Sequence, residues 1–131
     1  MFKRTVLCAV ILACGVALGS GPLAAQQAIK RTILQRFDVP GSNYEAVFGI
    51  AEIAPNAVVA RHTHPGSEAD YVAQGSMVLE VQGRSPLTLK AGQSYQVLNS
   101  TVHGGRGGPE GAKVIAVWVV EKGKPLASPA K

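Results

Sequence analysis

Three residues within a span of seven, His62, His64 and Glu68, offer the donors that a borderline divalent transition metal selects: imidazole nitrogen and carboxylate oxygen. The chain holds three histidines in all, and the third, His103, lies 35 residues beyond Glu68. Side chains two apart on a strand share a face, so an extended His62-Thr63-His64 presents both imidazoles to one side. A single histidine is more often a solvated or hydrogen-bonded side chain than a ligand. The close spacing and the carboxylate that follows argue for ligation here. Pro65-Gly66 is a turn signal, and a reversal there returns Glu68 on the adjacent strand, so that one hairpin supplies three donors. His103 then comes from a later strand, delivered by the turn at residues 99–101. Three nitrogens and one oxygen leave two positions open on an octahedral ion, which suits Mn(II), Fe(II) or Ni(II). Zinc, nearly saturated by four such donors, is the remaining option.

Around this set lie further candidates. Strict alternation from Glu68 puts Asp70 on the same face, where it can accept a hydrogen bond from a ligand imidazole or act as an acid or base. A bulge would turn Asp70 to solvent and bring Tyr71 inward instead, and bulges are frequent beside active sites. Tyr95 and Gln96, with Gln93, are candidates for the opening where a substrate enters, or are plain exposed strand residues. Arg106, three residues after His103, is a candidate for an anionic substrate at the rim. The Gly-rich run 104–111 lacks both the Lys-Ser/Thr ending and the following helix of a phosphate-binding loop, and reads as a flexible hairpin connection. Trp118 sits in an apolar run and reads as core.

The elements that must position these residues are short extended runs broken by Gly, Pro and Asn, which predict an all-β sandwich or barrel. The expected strands are 32–39, 45–54, 58–63, 68–73, 76–82, 87–90, 94–98 and 113–121. Met77, Leu79 and Val81 alternate with Val78, Glu80 and Gln82, the signature of one buried face. The run 114–120 is apolar on both faces and is expected to be covered twice, by the core and by another layer or subunit. Residues 125–131 read as a polar tail.

Length bounds the chain to one domain, with residues 1–25 expected to be a cleaved signal peptide and 26–131 the domain itself, its barrel core at about 33–121. A basic start at Lys3 and Arg4 precedes an apolar run of signal-peptide length, shorter than the ~20 residues of a bilayer span, and Ser20-Gly21-Pro22 breaks it before a small residue at Ala25. The protein is therefore expected in the periplasm or secreted, with no stable membrane span after processing. Both cysteines, Cys8 and Cys14, fall in that segment, which excludes disulfide and thiolate chemistry from the domain. Removing Lys3 and Arg4 lowers the formal net charge of +5 by two. The other basic residues are scattered without interleaved aromatics, which argues against nucleic-acid binding.

His62-x-His64, then Glu68 and Gly75, resembles the first motif of the cupin superfamily, with the intervening counts matched. The second motif is half kept. His103 is present, while Leu98 and Ser100 replace Pro and Gly, and Gly107 stands where Asn is usual. A Gly that normally opens the first motif is Asn56 here. The resemblance runs from about Ile33 to Glu121 and is nearest to small single-domain bacterial cupins. It implies a double-stranded β-helix barrel, a metal held by His62, His64, Glu68 and His103, and in many relatives a homodimer. Cupins host unrelated chemistries, so function stays divided. One reading is a metal-dependent enzyme, an oxygenase, decarboxylase, lyase or isomerase acting on a small oxygen-rich or carboxylated molecule. Another is a metal-dependent binding or sensing module without turnover, and a third is a structural barrel without metal.

Overall fold

The computed structural model describes residues 28–131, all strands and turns. The expected signal peptide and both cysteines lie outside the described residues. Among the described residues no helix is long and apolar enough to cross a membrane. Eight strands follow in chain order: β1 Ile29–Asp38, β2 Tyr44–Ile53, β3 Val58–Thr63, β4 Gly66–Val81, β5 Leu87–Lys90, β6 Ser94–Val97, β7 His103–Glu121 and β8 Ser128–Pro129. All pairings are antiparallel, and the long strands β4 and β7 run side by side through the molecule. The far half of β7 lies between β2 and the first half of β4, which pairs on its other side with β6. The near half of β7 lies between β3 and the second half of β4, which pairs with β5. The result is a double-stranded β-helix of two five-stranded segments, β1-β2-β7-β4-β6 and β8-β3-β7-β4-β5.

Alternation places the core as the sequence implies. Met77 and Leu79 are buried while Glu80 is exposed, and Val114, Ala116, Trp118 and Val120 face inward along β7. One cluster joins Ile53, Val72, Met77, Leu79, Leu89, Ala112 and Val114. A second joins Val47, Ala116, Trp118 and Val120 at the end of the barrel that carries the histidines.

Four expectations change. The two strands predicted at 68–73 and 76–82 form a single strand, β4, which absorbs the Gln74-Gly75 turn signal as bulges near Ala73 and Ser76. Gly75 itself has φ 70°, and a Cβ there would stand 2.0 Å from the carbonyl oxygen of Gly111, so the position admits only glycine. The Gly-rich run is not a loop: most of it is the near half of β7, packed between two strands. At Gly105 a Cβ would approach the Val78 carbonyl oxygen to 2.1 Å, so the missing side chain is what lets the strands close up. Pro65-Gly66 does not make a hairpin, because β3 and β4 do not pair; each pairs with β7 instead. The C-terminal segment is not an unpacked tail. Leu126 packs against the second core cluster, and β8 pairs with β3 through His62–Pro129 and Thr63–Ser128. Within the single chain the core covers the inner face of the run 114–120; on the outer face Ile115 and Val117 are half-buried and Val119 is 39% exposed.

Candidate metal centre

β7 starts at His103, directly opposite His62 on β3, so strand register alone brings these two imidazoles together, with ring centroids 4.2 Å apart. His64 lies just past the end of β3, its ring 4.9 Å from that of His62 and 5.2 Å from that of His103. One nitrogen from each of the three falls within 4.8 Å of the others. Glu68 reaches the same point from β4, where its backbone is flanked by Trp118 and Val97.

Each of the three rings is held by the same kind of bond. His62 Nδ1 donates to the Ala60 carbonyl at 2.8 Å, His103 Nδ1 to the Thr101 carbonyl at 2.9 Å, and His64 Nδ1 to the Leu126 carbonyl at 2.5 Å. Each Nδ1–H is thereby occupied, which leaves Nε2 as the lone-pair nitrogen. The first two bonds are local, two residues back along the chain, whereas the third spans 62 residues. Glu68 Oε2 accepts from Trp118 Nε1 at 2.7 Å. Its two oxygens stand 3.1 Å from His64 Nε2 and 3.1 Å from His103 Nε2.

Two buried nitrogens, His64 Nε2 and His103 Nε2, make no hydrogen bond. Buried polar atoms without partners are rare and costly. A divalent ion among the four side chains would satisfy both at once, so these residues fit a metal of the imidazole–carboxylate class. Electrostatics agree. Burial alone would raise the Glu68 pKa, but the two imidazoles override it and hold the carboxyl well below the usual range. Burial, reinforced by the other two imidazoles, lowers His62. His103 is raised because Glu68 outweighs the effect of burial.

Asp70 is 7% exposed and faces the same cavity. Directly across on β6 is Tyr95, whose hydroxyl donates to Asp70 Oδ2 at 2.7 Å. Asp70 Oδ1 is buried without a partner. Burial, with the nearby charge of Glu68 second, pushes the Asp70 carboxyl up to about 7. Burial likewise raises the Tyr95 phenol, with Asp70 adding to it.

Other candidates fall elsewhere. The nearest bulge lies beyond Val72, so alternation is intact at Asp70, and Tyr71 points to solvent at 46% exposure. Gln96, next to Tyr95 in the strand, is exposed on the outer face and does not line the cavity. Arg106 also lies away from the cavity; its Nη1 donates to the Asn56 carbonyl at 3.0 Å. The two positions where glycine is usual are both left-handed, Asn56 at φ 56° and Ser100 at φ 57°, so the turns keep their shape with non-glycine residues.

Three contributors escaped the sequence reading. Trp118 is core as expected but also anchors Glu68, the Leu126 carbonyl orients His64, and the Arg31 guanidinium lies 5.6 Å from the Trp118 ring centroid at the cavity wall. A lone leucine in a polar tail was the one available signal for the second. Nothing in the sequence marks Arg31 or the Trp118 contact.

The chain belongs to the cupin family: the model of the cupin domain matches residues 49–120. Among solved structures it is similar to the polyketide cyclase RemF from Streptomyces resistomycificus, with 25% identity, TM-score 0.61, and 80% of this chain and 72% of that one covered. A Klebsiella pneumoniae protein with a double-stranded β-helix domain matches at 22% identity and TM-score 0.64, covering 79% and 84%. The DMSP lyase DddQ from Ruegeria pomeroyi matches at 14% identity and TM-score 0.67, covering 79% of this chain. The chain spans about half the length of the DMSP lyases it matches, 44% and 52%. No curated protein matches the chain.

Proposed function

We propose that this cupin is a metal-dependent enzyme of the oxygenase, decarboxylase, lyase or isomerase type, acting on a small oxygen-rich or carboxylated molecule. His62, His64, Glu68 and His103 hold a divalent ion, with manganese, iron or nickel favoured over zinc because four protein donors leave an octahedral ion two open positions. The observation that carries the catalytic reading is Asp70. Its Oδ1 is buried in the cavity with no partner, while Tyr95 holds Oδ2. With Tyr95 on Oδ2, the carboxyl keeps its other oxygen for a bound molecule. Such an oxygen is free to take a proton from, or return one to, a bound molecule. Bound here, the ion would supply Lewis-acid polarisation of a substrate oxygen. The similarity to a polyketide cyclase at 25% identity supports a cupin enzyme or binding role.

Metal analysis of purified variants tests the first half. His62→Ala, His64→Ala and His103→Ala should each lose most bound metal, and exposed Lys90→Ala should lose none; equal occupancy in all four refutes the ligand set. Asp70→Asn tests the second half. It should keep the metal and abolish turnover, whereas a change in ligand affinity alone would identify a binding module. Export to the periplasm or beyond, with cleavage near Ala25, completes the proposal, and N-terminal sequencing of the native protein checks it. A second copy is the proposed partner, on the strength of exposed Ile33, Leu34, Phe37 and Val119.

A further inference from the structure

The cavity lined by the three histidines is small, about 50 Å³. That holds an ion and a water but no organic molecule, since ligand pockets run to roughly 300–1,000 Å³. A molecule acted on at this site must therefore sit outside the donor ring and reach in. Two adjoining grooves have the capacity. One, of about 540 Å³, meets the cavity at Asp70 and Tyr95. The other, of about 510 Å³ and basic where the first is not, is walled by β1, β3 and the C-terminal segment at Ala127, Ser128 and Pro129. It shares Ile29, Arg31, Val59 and His62 with the inner cavity. His62 is also the least buried of the three histidines, so the donor ring is open on this side.

The groove has a one-sided charge. Arg31 and Arg61 line it, and no acidic residue does. Among the described residues neither Arg31 nor Arg61 forms an ion pair, so both guanidinium groups are available to an anion in the groove. Arg31 is held over the Trp118 ring, so less freedom is lost when it binds an anion. The Arg61 backbone is fixed by the bond from Ala130 N to its carbonyl.

We propose that this groove seats a small carboxylate, with Arg31 as the principal anion contact and Arg61 as the second, so that the rest of the molecule lies at His62. Planar guanidinium groups match a carboxylate with two parallel hydrogen bonds. No helix N-terminus, the common phosphate cradle, is present among the described residues. The inference rests on the proposed metal site in that the groove opens onto it, and it names the substrate class.

The test uses protein stripped of metal by a chelating resin and follows the Arg31 and Arg61 side-chain NMR signals during titration with succinate, succinamide or inorganic phosphate. Succinate should shift both signals saturably and succinamide should not. Arg31→Gln should weaken succinate binding about tenfold, and Arg31→Lys by less, because it keeps the charge but loses the fork. Absence of a saturable shift, an equal response to succinamide, tighter binding of phosphate, or an unchanged affinity in Arg31→Gln would each overturn the proposal. Metal uptake is measured on the same samples. Loss of uptake by the wild type with the succinate response intact would refute the metal site and leave the groove standing. Normal uptake without a succinate response would refute the groove alone.

Discussion

Removing residues 125–131 should weaken metal binding far more than the loss of seven C-terminal residues ordinarily would. His64 is 3% exposed, and its Nδ1–H has one acceptor, the Leu126 carbonyl at 2.5 Å. Without it, a buried donor is left unsatisfied at about 1–3 kcal/mol, or the ring changes tautomer and turns the proton toward the ion. Since about 1.4 kcal/mol is a factor of ten, the expected loss is about 10–100-fold in metal affinity, the range found for other groups that orient ligand histidines. The truncation also removes the packing of Leu126 against Val47, Ala116, Trp118 and Val120, which Leu126→Ala isolates because that variant keeps its carbonyl. Leu126→Ala should lose about 1–2 kcal/mol of stability for a half-buried leucine yet bind metal nearly as well as the wild type. Trp118 is the chain's one tryptophan, and its ring centroid lies 6.0 Å from that of His64, so tryptophan fluorescence during a Mn(II) or Ni(II) titration reads the site directly. Equal affinities for wild type and truncation, or equal losses for truncation and Leu126→Ala, would refute the claim that the carbonyl orients His64.

Trp118→Phe keeps an aromatic core residue but deletes the donor to Glu68, and should cost about 1.5–3 kcal/mol for a hydrogen bond to a charged group. Thermal unfolding measures this, with a calorimetric metal titration expected to show weaker binding. Ser100→Gly should stabilise the protein by about 1 kcal/mol, since a left-handed conformation costs an L-residue roughly 1–2 kcal/mol; urea unfolding that shows no gain would refute strain at this turn. In the metal-free protein His103 should titrate above the ordinary value of 6.5 and His62 below it, as NMR of the imidazoles can show. A raised pKa means protonation begins at higher pH, and only a neutral imidazole ligates. Metal uptake should therefore fail first at His103 as pH drops, and a reversed order of titration would contradict the pairing with Glu68.

The donors were legible because chemistry and spacing coincide in His62-x-His64: two imidazoles on one face of a strand need no knowledge of the rest of the chain. Short extended runs between turn signals likewise showed that the chain is all β and that β3 spans Val58–Thr63, and alternation made Asp70 a candidate for Glu68's face, with a bulge as the open alternative. Each of these properties belongs to one strand and its pleat. What pairs with that strand is a property of distant residues, and there local signals misled. Pro65-Gly66 and the glycines at 104–111 have the composition of turns, yet one joins unpaired strands and the other is strand throughout most of its length, because close approach of neighbouring backbones, like tight turning, selects glycine. The same holds for the groups that orient the site. His62 and His103 bond carbonyls two residues back, within reach of local reasoning, whereas His64 depends on Leu126, Glu68 on Trp118, and the groove on Arg31. Sequence determined which atoms could bind a metal; only the tertiary structure decided which way they point and from which side a molecule can reach them, because orientation is set by contacts between residues that the barrel's closure brings together.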